Sequence, residues 1–198
     1  TEFAPLKLPQ LIQNIQKICG AYQVKIDNGT AKYFVELCGT SMQELINEIR
    51  KLIEYVGPNG VITTKDIDLL SIKQIDSVIF DLTDNLGKKD TKKAIEVLNN
   101  LLYEKEPIQK ILITLYNHFK KLYIVKIAEE YRKDLATSMK LKPNQLFLTT
   151  KYKKQASYFS KEEIENIMEE FINLDANYKV GLIDINVGLE AILCRYCS

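Results

Sequence analysis

Between Leu135 and Lys161 the chain carries six lysines (Lys140, Lys142, Lys151, Lys153, Lys154 and Lys161) and no acidic residue. Phe147, Tyr152, Tyr158 and Phe159 are interleaved with them. Ammonium groups in such a run can meet the phosphates of a nucleic acid. The next segment is acidic, with Glu162, Glu163, Glu165, Glu169, Glu170 and Asp175, so the two stretches can equally face each other as an antiparallel pair. A second candidate is Tyr178 with Lys179. An aromatic ring beside a lysine at a helix end can stack on an unpaired base, worth about 1–3 kcal/mol, while the ammonium meets a phosphate. Tyr178 also lies four residues after Leu174, so it can extend an apolar stripe with its hydroxyl at the rim. Both readings stay open, as they do for Lys151, Lys153 and Lys154.

Other chemistry is poorly supplied. The cysteines are Cys19, Cys38, Cys194 and Cys197. The last two form a Cys-x-x-Cys, but the first two lack zinc-ribbon spacing and the single His118 is remote in sequence. Reduced, partly buried thiols are expected, and no metal. No Gly-x-x-x-x-Gly-Lys-Ser/Thr occurs, and Gly87-Lys88-Lys89 lacks both the upstream glycine and the hydroxyl residue. No nucleotide or other cofactor is therefore expected. One histidine and no nucleophile elbow leave no Ser-His-Asp set. The reading is of a chain without a catalytic centre. The net charge of +1 supplies no global argument for nucleic acid. No apolar run approaches the roughly 18 residues of a membrane span, and the N-terminus lacks a signal-peptide pattern. A cytoplasmic location with no membrane partner is expected.

The elements that must carry these residues are helical. In the stretch 39–57, Met42, Leu45, Ile46, Ile49, Leu52, Ile53 and Val56 fall at steps of three and four, which predicts a helix of about four turns. Ser41 with Glu44 reads as its capping box, and Gly57-Pro58 as its stop. Upstream, Pro9 opens a helix that ends at Gly20, Asp27-Asn28-Gly29 signals a turn, and Ala31, Phe34, Val35 and Cys38 mark a short helix. Downstream, Thr63 with Asp66 starts a short helix through Leu70. A joint is expected near Ser71 to Asp76. Asp76 then caps a helix carrying Ile79, Leu82, Thr83 and Leu86, and Asp90 caps the next. Pro107 opens the longest helix, reaching about Arg132. It is apolar on two faces, one with Ile108, Leu112, Leu115, Phe119 and Leu122, the other with Ile124, Ile127, Ala128 and Tyr131, so it must be sandwiched between neighbours. Ser160 with Glu163 starts the acidic helix, Gly181 breaks it, and Asp184 caps the last. No strand-like alternation of useful length appears. The expectation is an all-α chain of two units: a small helical domain over 1–71 and a helical bundle over 72–198.

The Gly39-Thr40 start, then Asn47-Glu48-Ile49-Arg50-Lys51-Leu52, then Gly57 and the Ile62-Thr63 step, resembles the lid helix of the delta-subunit family of the bacterial DNA polymerase III clamp loader. That family reads roughly G-x-x-x-x-x-L-x-N-E-x-x-K-L there. SVIFDLTDNLGKKDTKKAIEVLNNLL (77–102) resembles the start of its C-terminal domain. EPIQKILITLYNHFKKLY (106–123), KLKPNQLFLTTKYKKQASYFS (140–160) and LDANYKVGLIDINVGLEAILC (174–194) resemble later segments in the same order. Two departures are Asn85, where the family often has Ala, and Tyr178, where an aliphatic residue is common.

The resemblance implies an AAA+-type lid domain followed by a collar domain. The family's N-terminal ATPase-like domain is missing, so the chain is expected to be a fragment of a longer protein. Implied partners are the other clamp-loader subunits through the collar, primer-template DNA in the assembled complex, and the sliding clamp through the missing domain. The implied role is assembly in DNA replication, within a DNA polymerase holoenzyme. The resemblance also puts Tyr178 and Lys179 near the chamber that surrounds the DNA. Two alternatives remain: another subunit of the same loader, and an unrelated helical nucleic-acid-binding protein using the basic segment 140–161.

Overall fold

The computed structural model describes residues 6–104 and 106–196. Among them the chain forms α1 (Leu8–Ala21), α2 (Asn28–Cys38), α3 (Met42–Val56), α4 (Thr64–Leu70), α5 (Ile75–Gly87), α6 (Thr91–Tyr103), α7 (Ile108–Glu130), α8 (Leu135–Ser138), a 3-10 turn (Pro143–Gln145), α9 (Leu148–Ala156), α10 (Lys161–Lys179) and α11 (Ile185–Tyr196). The fold is all-α. The β pairing among the described residues is one isolated parallel bridge between Lys25 and Val61. The chain divides into two compact units, 1–77 with 141–147, and 78–140 with 148–198.

Local chemistry sets most helix starts. At α4 the Thr63 backbone N–H and hydroxyl both donate to Asp66 Oδ2, at 2.8 and 2.7 Å. At α10 the Glu163 N–H donates to Ser160 Oγ at 3.0 Å, and the Ser160 N–H donates back to Glu163 Oε2 at 2.6 Å. Asp90 accepts from the Lys93 N–H, and Asp184 from the N–H groups of Asn186 and Val187. Asp27-Asn28-Gly29 is the start of α2, where Asp27 Oδ1 accepts from the Thr30 N–H at 3.0 Å. The Thr30 hydroxyl, and next its N–H, hold the Asp27 carboxyl below the usual carboxylate range.

Three expected boundaries differ. α1 runs through Gly20 to Ala21, and the left-handed residue that turns the chain is Gln23. Ser41 precedes α3 but makes no side-chain cap bond, and the Glu44 carboxylate accepts from Gln74 Nε2. Asp76 lies inside the first turn of α5 rather than before it.

The first unit buries Leu11, Ile15, Phe34, Leu45, Ile49, Leu52, Ile62 and Ile67 in one apolar core. α1 packs on α2 and α3, α4 closes against both α2 and α3, and the 3-10 turn lies on α1. In the second unit α7, about 35 Å long, packs against α8, α9, α10 and α11. It buries Ile111, Leu112, Leu115, His118, Phe119, Leu122, Val125 and Ala128. The first expected face is buried apart from the partly covered Ile108, but of the second only Ala128 is buried: Ile124 and Ile127 are partly covered and Tyr131 is exposed beyond the last turn. α11 in turn packs on α6 and α10. At the last contact a Cβ on Gly188 would stand 2.2 Å from Leu174 Cδ1, so the leucine methyl occupies the space that the missing side chain leaves.

Phe119 is fully buried and meets Phe159 and Phe171 edge-on, with ring centroids 5.6 and 5.8 Å away. Phe119→Ala is expected to lower the unfolding free energy by about 3–5 kcal/mol, read from the urea midpoint of the chain. A loss below about 1 kcal/mol would contradict this packing.

Candidate functional site

The second unit has an open groove of about 550 Å³ between α7 and α10. Leu112 and Phe171 form buried floor residues, and Ile113, Tyr116 and Ile172 flank them. Ile113 and Ile172 are 55% and 53% exposed, one from each helix. Two half-exposed isoleucines beside one apolar concavity mark a surface suited to covering by another apolar surface. The rim charges are balanced locally: Lys110 Nζ meets Glu106 Oε2 at 2.8 Å, and Lys179 Nζ meets Asp175 Oδ2 at 2.6 Å. At one end the Tyr178 hydroxyl accepts from Gln109 Nε2 at 3.0 Å, tying the last turn of α10 to the first turn of α7.

The expected site residues fall in two places. Tyr178 and Lys179 stand at the end of this groove, the tyrosine half-buried and the lysine exposed. Lys151, Lys153 and Lys154 lie on α9 and do not line it. Lys153 and Lys154 are exposed in the last turn, while Lys151 holds its ammonium 5.9 Å from the centre of the Phe80 ring. The aromatic residues between the lysines turn inward. Tyr152 and Phe159 are buried, and the Tyr158 ring seats on Gly87. The basic and acidic segments do not face each other as the sequence allowed. Both α9 and α10 pack chiefly on α7, and Glu170 pairs with Arg195 and accepts from the Tyr196 hydroxyl on α11.

A family model described as the C-terminal domain of the DNA polymerase III delta subunit matches residues 76–196. The chain belongs to the DNA polymerase III delta-subunit family. It is 30% identical over 166 residues to a probable DNA polymerase III subunit delta of Aquifex aeolicus, covering 81% of this chain and 47% of the relative. It is 26% identical over 176 residues to the DNA polymerase III subunit delta of Bacillus subtilis, covering 87% of this chain and 50% of the relative. The fold matches the solved structure of the Bacillus subtilis DNA clamp loader delta protein with a TM-score of 0.83 at 24% identity, over 100% of this chain and 58% of that one. The chain thus spans about half the length of the curated delta relatives it matches.

In this delta-family chain a buried polar chain holds α9 in place. His118 Nε2, on α7, donates to Gln155 Oε1 on α9 at 2.7 Å. The Gln155 amide then donates to the Phe80 carbonyl at 2.8 Å and to Asp84 Oδ1 at 2.6 Å, both on α5. Two acceptors facing the amide nitrogen fix its orientation, which leaves Oε1 to accept and assigns the histidine proton to Nε2. The imidazole also meets the Phe80 ring edge-on at 4.6 Å. In the sequence His118 stands out only as remote from the cysteines. Its actual partner is an amide 37 residues away. The thiols also sort by burial. Cys19 and Cys38 are buried, which pushes them up to about 11 and about 12. Cys194 is exposed rather than partly buried, and Cys197 lies outside the described residues.

Burial pulls His118 from its ordinary 6.5 down to about 3; nearby Lys121 adds to this and the Gln155 bond opposes it. Below pH 6.5 the unfolded chain therefore takes up a proton that the folded chain refuses. His118 favours folding fully above that value, and its contribution is lost as the pH falls toward about 3. From pH 7 to pH 5 the loss is about 2 kcal/mol. Capping carboxylates titrate below this window, so urea unfolding of the parent should show the drop and His118→Gln should not. Equal slopes in the two proteins would contradict it.

Proposed function

We propose that this chain is the assembly module of a DNA polymerase III clamp-loader subunit, with the first unit as the lid and the second as the collar that joins the other loader subunits. The observation that carries this reading is the α7–α10 groove, with Ile113 and Ile172 half exposed on facing helices of the region matched by the C-terminal-domain model. Such a surface gains free energy when a partner's apolar side chains cover it. The module works without a catalytic centre of its own. Clamp contact is attributed to the part of the relatives that this chain does not span. Action on the chromosome puts such a subunit in the bacterial cytoplasm.

Ile113→Asp and Ile172→Asp change exposed positions, so the stability of the chain should move by only about 0.5 kcal/mol. Association with the cognate loader subunits, measured by calorimetry, is expected to weaken at least about tenfold, or roughly 1.4 kcal/mol. Parent-like affinity in both variants would overturn the reading.

Contact with primer-template DNA in the assembled loader belongs to the same proposal for Lys151, Lys153, Lys154, Tyr178 and Lys179. The inward aromatics of α9 favour phosphate contact there over base stacking. The Tyr178 hydroxyl and the Lys179 ammonium would each have to exchange a neighbour for the DNA. For Lys153→Ala with Lys154→Ala, the slope of log affinity against log salt should become shallower by about two units. An unchanged slope removes these lysines from the DNA surface.

A further inference from the structure

Within the second unit, residues 80–87 of α5 run beside residues 151–158. The Phe80 ring centre lies 5.9 Å from the Lys151 ammonium and 4.7 Å from the Tyr152 ring. One turn on, the Gln155 amide donates to Asp84 Oδ1 at 2.6 Å. At the far end Tyr158 lies on Gly87, where a Cβ would stand 2.3 Å from Tyr158 Cδ2. The Lys88 N–H donates to the Asp84 carbonyl at 3.1 Å, so Lys88 continues the last turn of α5. Lys154 precedes Tyr158 by about one turn and shares a face of α9 with Lys151. The Gly87–Tyr158 contact therefore sets Lys88 at the end of α9 that carries Lys154.

The charges on this surface are unequal. Lys88 and Lys154 are exposed, and neither ammonium meets a carboxylate among the described residues. The acids nearby are already used. Asp84 accepts from Gln155, and Asp90 caps α6 and meets Lys93 Nζ at 3.0 Å. Asp81 is not free either. Ammonium groups left uncompensated in this way gain free energy by displacing the counterions of a polyphosphate. The rings offer no platform to an unpaired base, since Tyr152 and Phe159 are buried and Tyr158 is held on Gly87. Bases kept inside a duplex need none. We propose that Lys88 and Lys154 form one phosphate-binding surface across the Gly87–Tyr158 contact, and that it takes the backbone of double-stranded DNA without regard to sequence. The inference rests on phosphate contact by α9, and adds to it Lys88 and the form of the DNA.

Anisotropy of a labelled DNA duplex of about 20 base pairs, titrated with the whole chain at several salt concentrations, tests it. Lys88→Ala and Lys154→Ala should each make the slope of log affinity against log salt shallower by about one unit, and the two together by about two. Lys88→Arg keeps the charge and should keep the parent slope. Both positions are exposed, so the urea midpoint should stay at the parent value. The duplex should compete better than either of its separated strands, and a change of base sequence should leave the affinity as it was. If Lys154→Ala alters the slope and Lys88→Ala does not, contact by α9 stands and the joint surface falls. If neither alters it, contact by α9 falls as well. The proposal is also overturned if the chain binds no duplex, if it prefers the single strand, or if Lys17→Ala, at an exposed lysine of the first unit, changes the slope equally.

Discussion

A helix with apolar residues on most of its circumference cannot lie on a surface, and α7 is such a helix. Leaving Leu115, Phe119, Leu122 and Val125 in water would cost roughly 1.5–3 kcal/mol for each, so the chain must wrap other helices around them. α8, α9, α10 and α11 do this. The groove follows from the same requirement. α10 meets α7 where the Phe171 ring packs edge-on against Phe119, and where the two helices leave a gap, Ile113 and Ile172 are left uncovered.

A core of this kind is nearly blind to register, because apolar contacts are not directional. The polar chain through Gln155 supplies direction. The His118 imidazole, the Phe80 carbonyl and the Asp84 carboxylate are satisfied together only if α5, α7 and α9 are correctly rotated and in step. Sliding any one of them would strand buried donors or acceptors at about 1–3 kcal/mol each. Such a cluster contributes less to net stability than to the uniqueness of the packing.

What could be read from the sequence was what is local in it. The pairs Thr63–Asp66 and Ser160–Glu163 lie three residues apart, so both partners appear in one glance at the chain, and both form. Ser41 and Glu44 have the same spacing and do not form the box; the glutamate instead meets Gln74, thirty residues on. Apolar periodicity identified the inside of α3 and of α7. It could not show the groove, since Ile113 and Ile172 mean nothing until two helices are set side by side. The hint available was that each lies off its own helix's buried stripe. The lysines of α9 were legible as a run, but which of their neighbouring rings would face inward depended on α7 and on His118.

The first unit is not completed by its own stretch of chain. Its last piece, the 3-10 turn within 141–147, is supplied from between α8 and α9 and lies on α1. On a ribosome the residues up to Ser77 emerge before 141–147, so this unit cannot close until the rest of α5, and α6, α7 and α8, have also been made. During that interval the underside of α1 is left open, and the nascent chain is exposed to mispairing there. Contacts between the first helix and so late a segment also lengthen the loops that must close, which slows folding relative to a helical unit built from neighbouring residues alone.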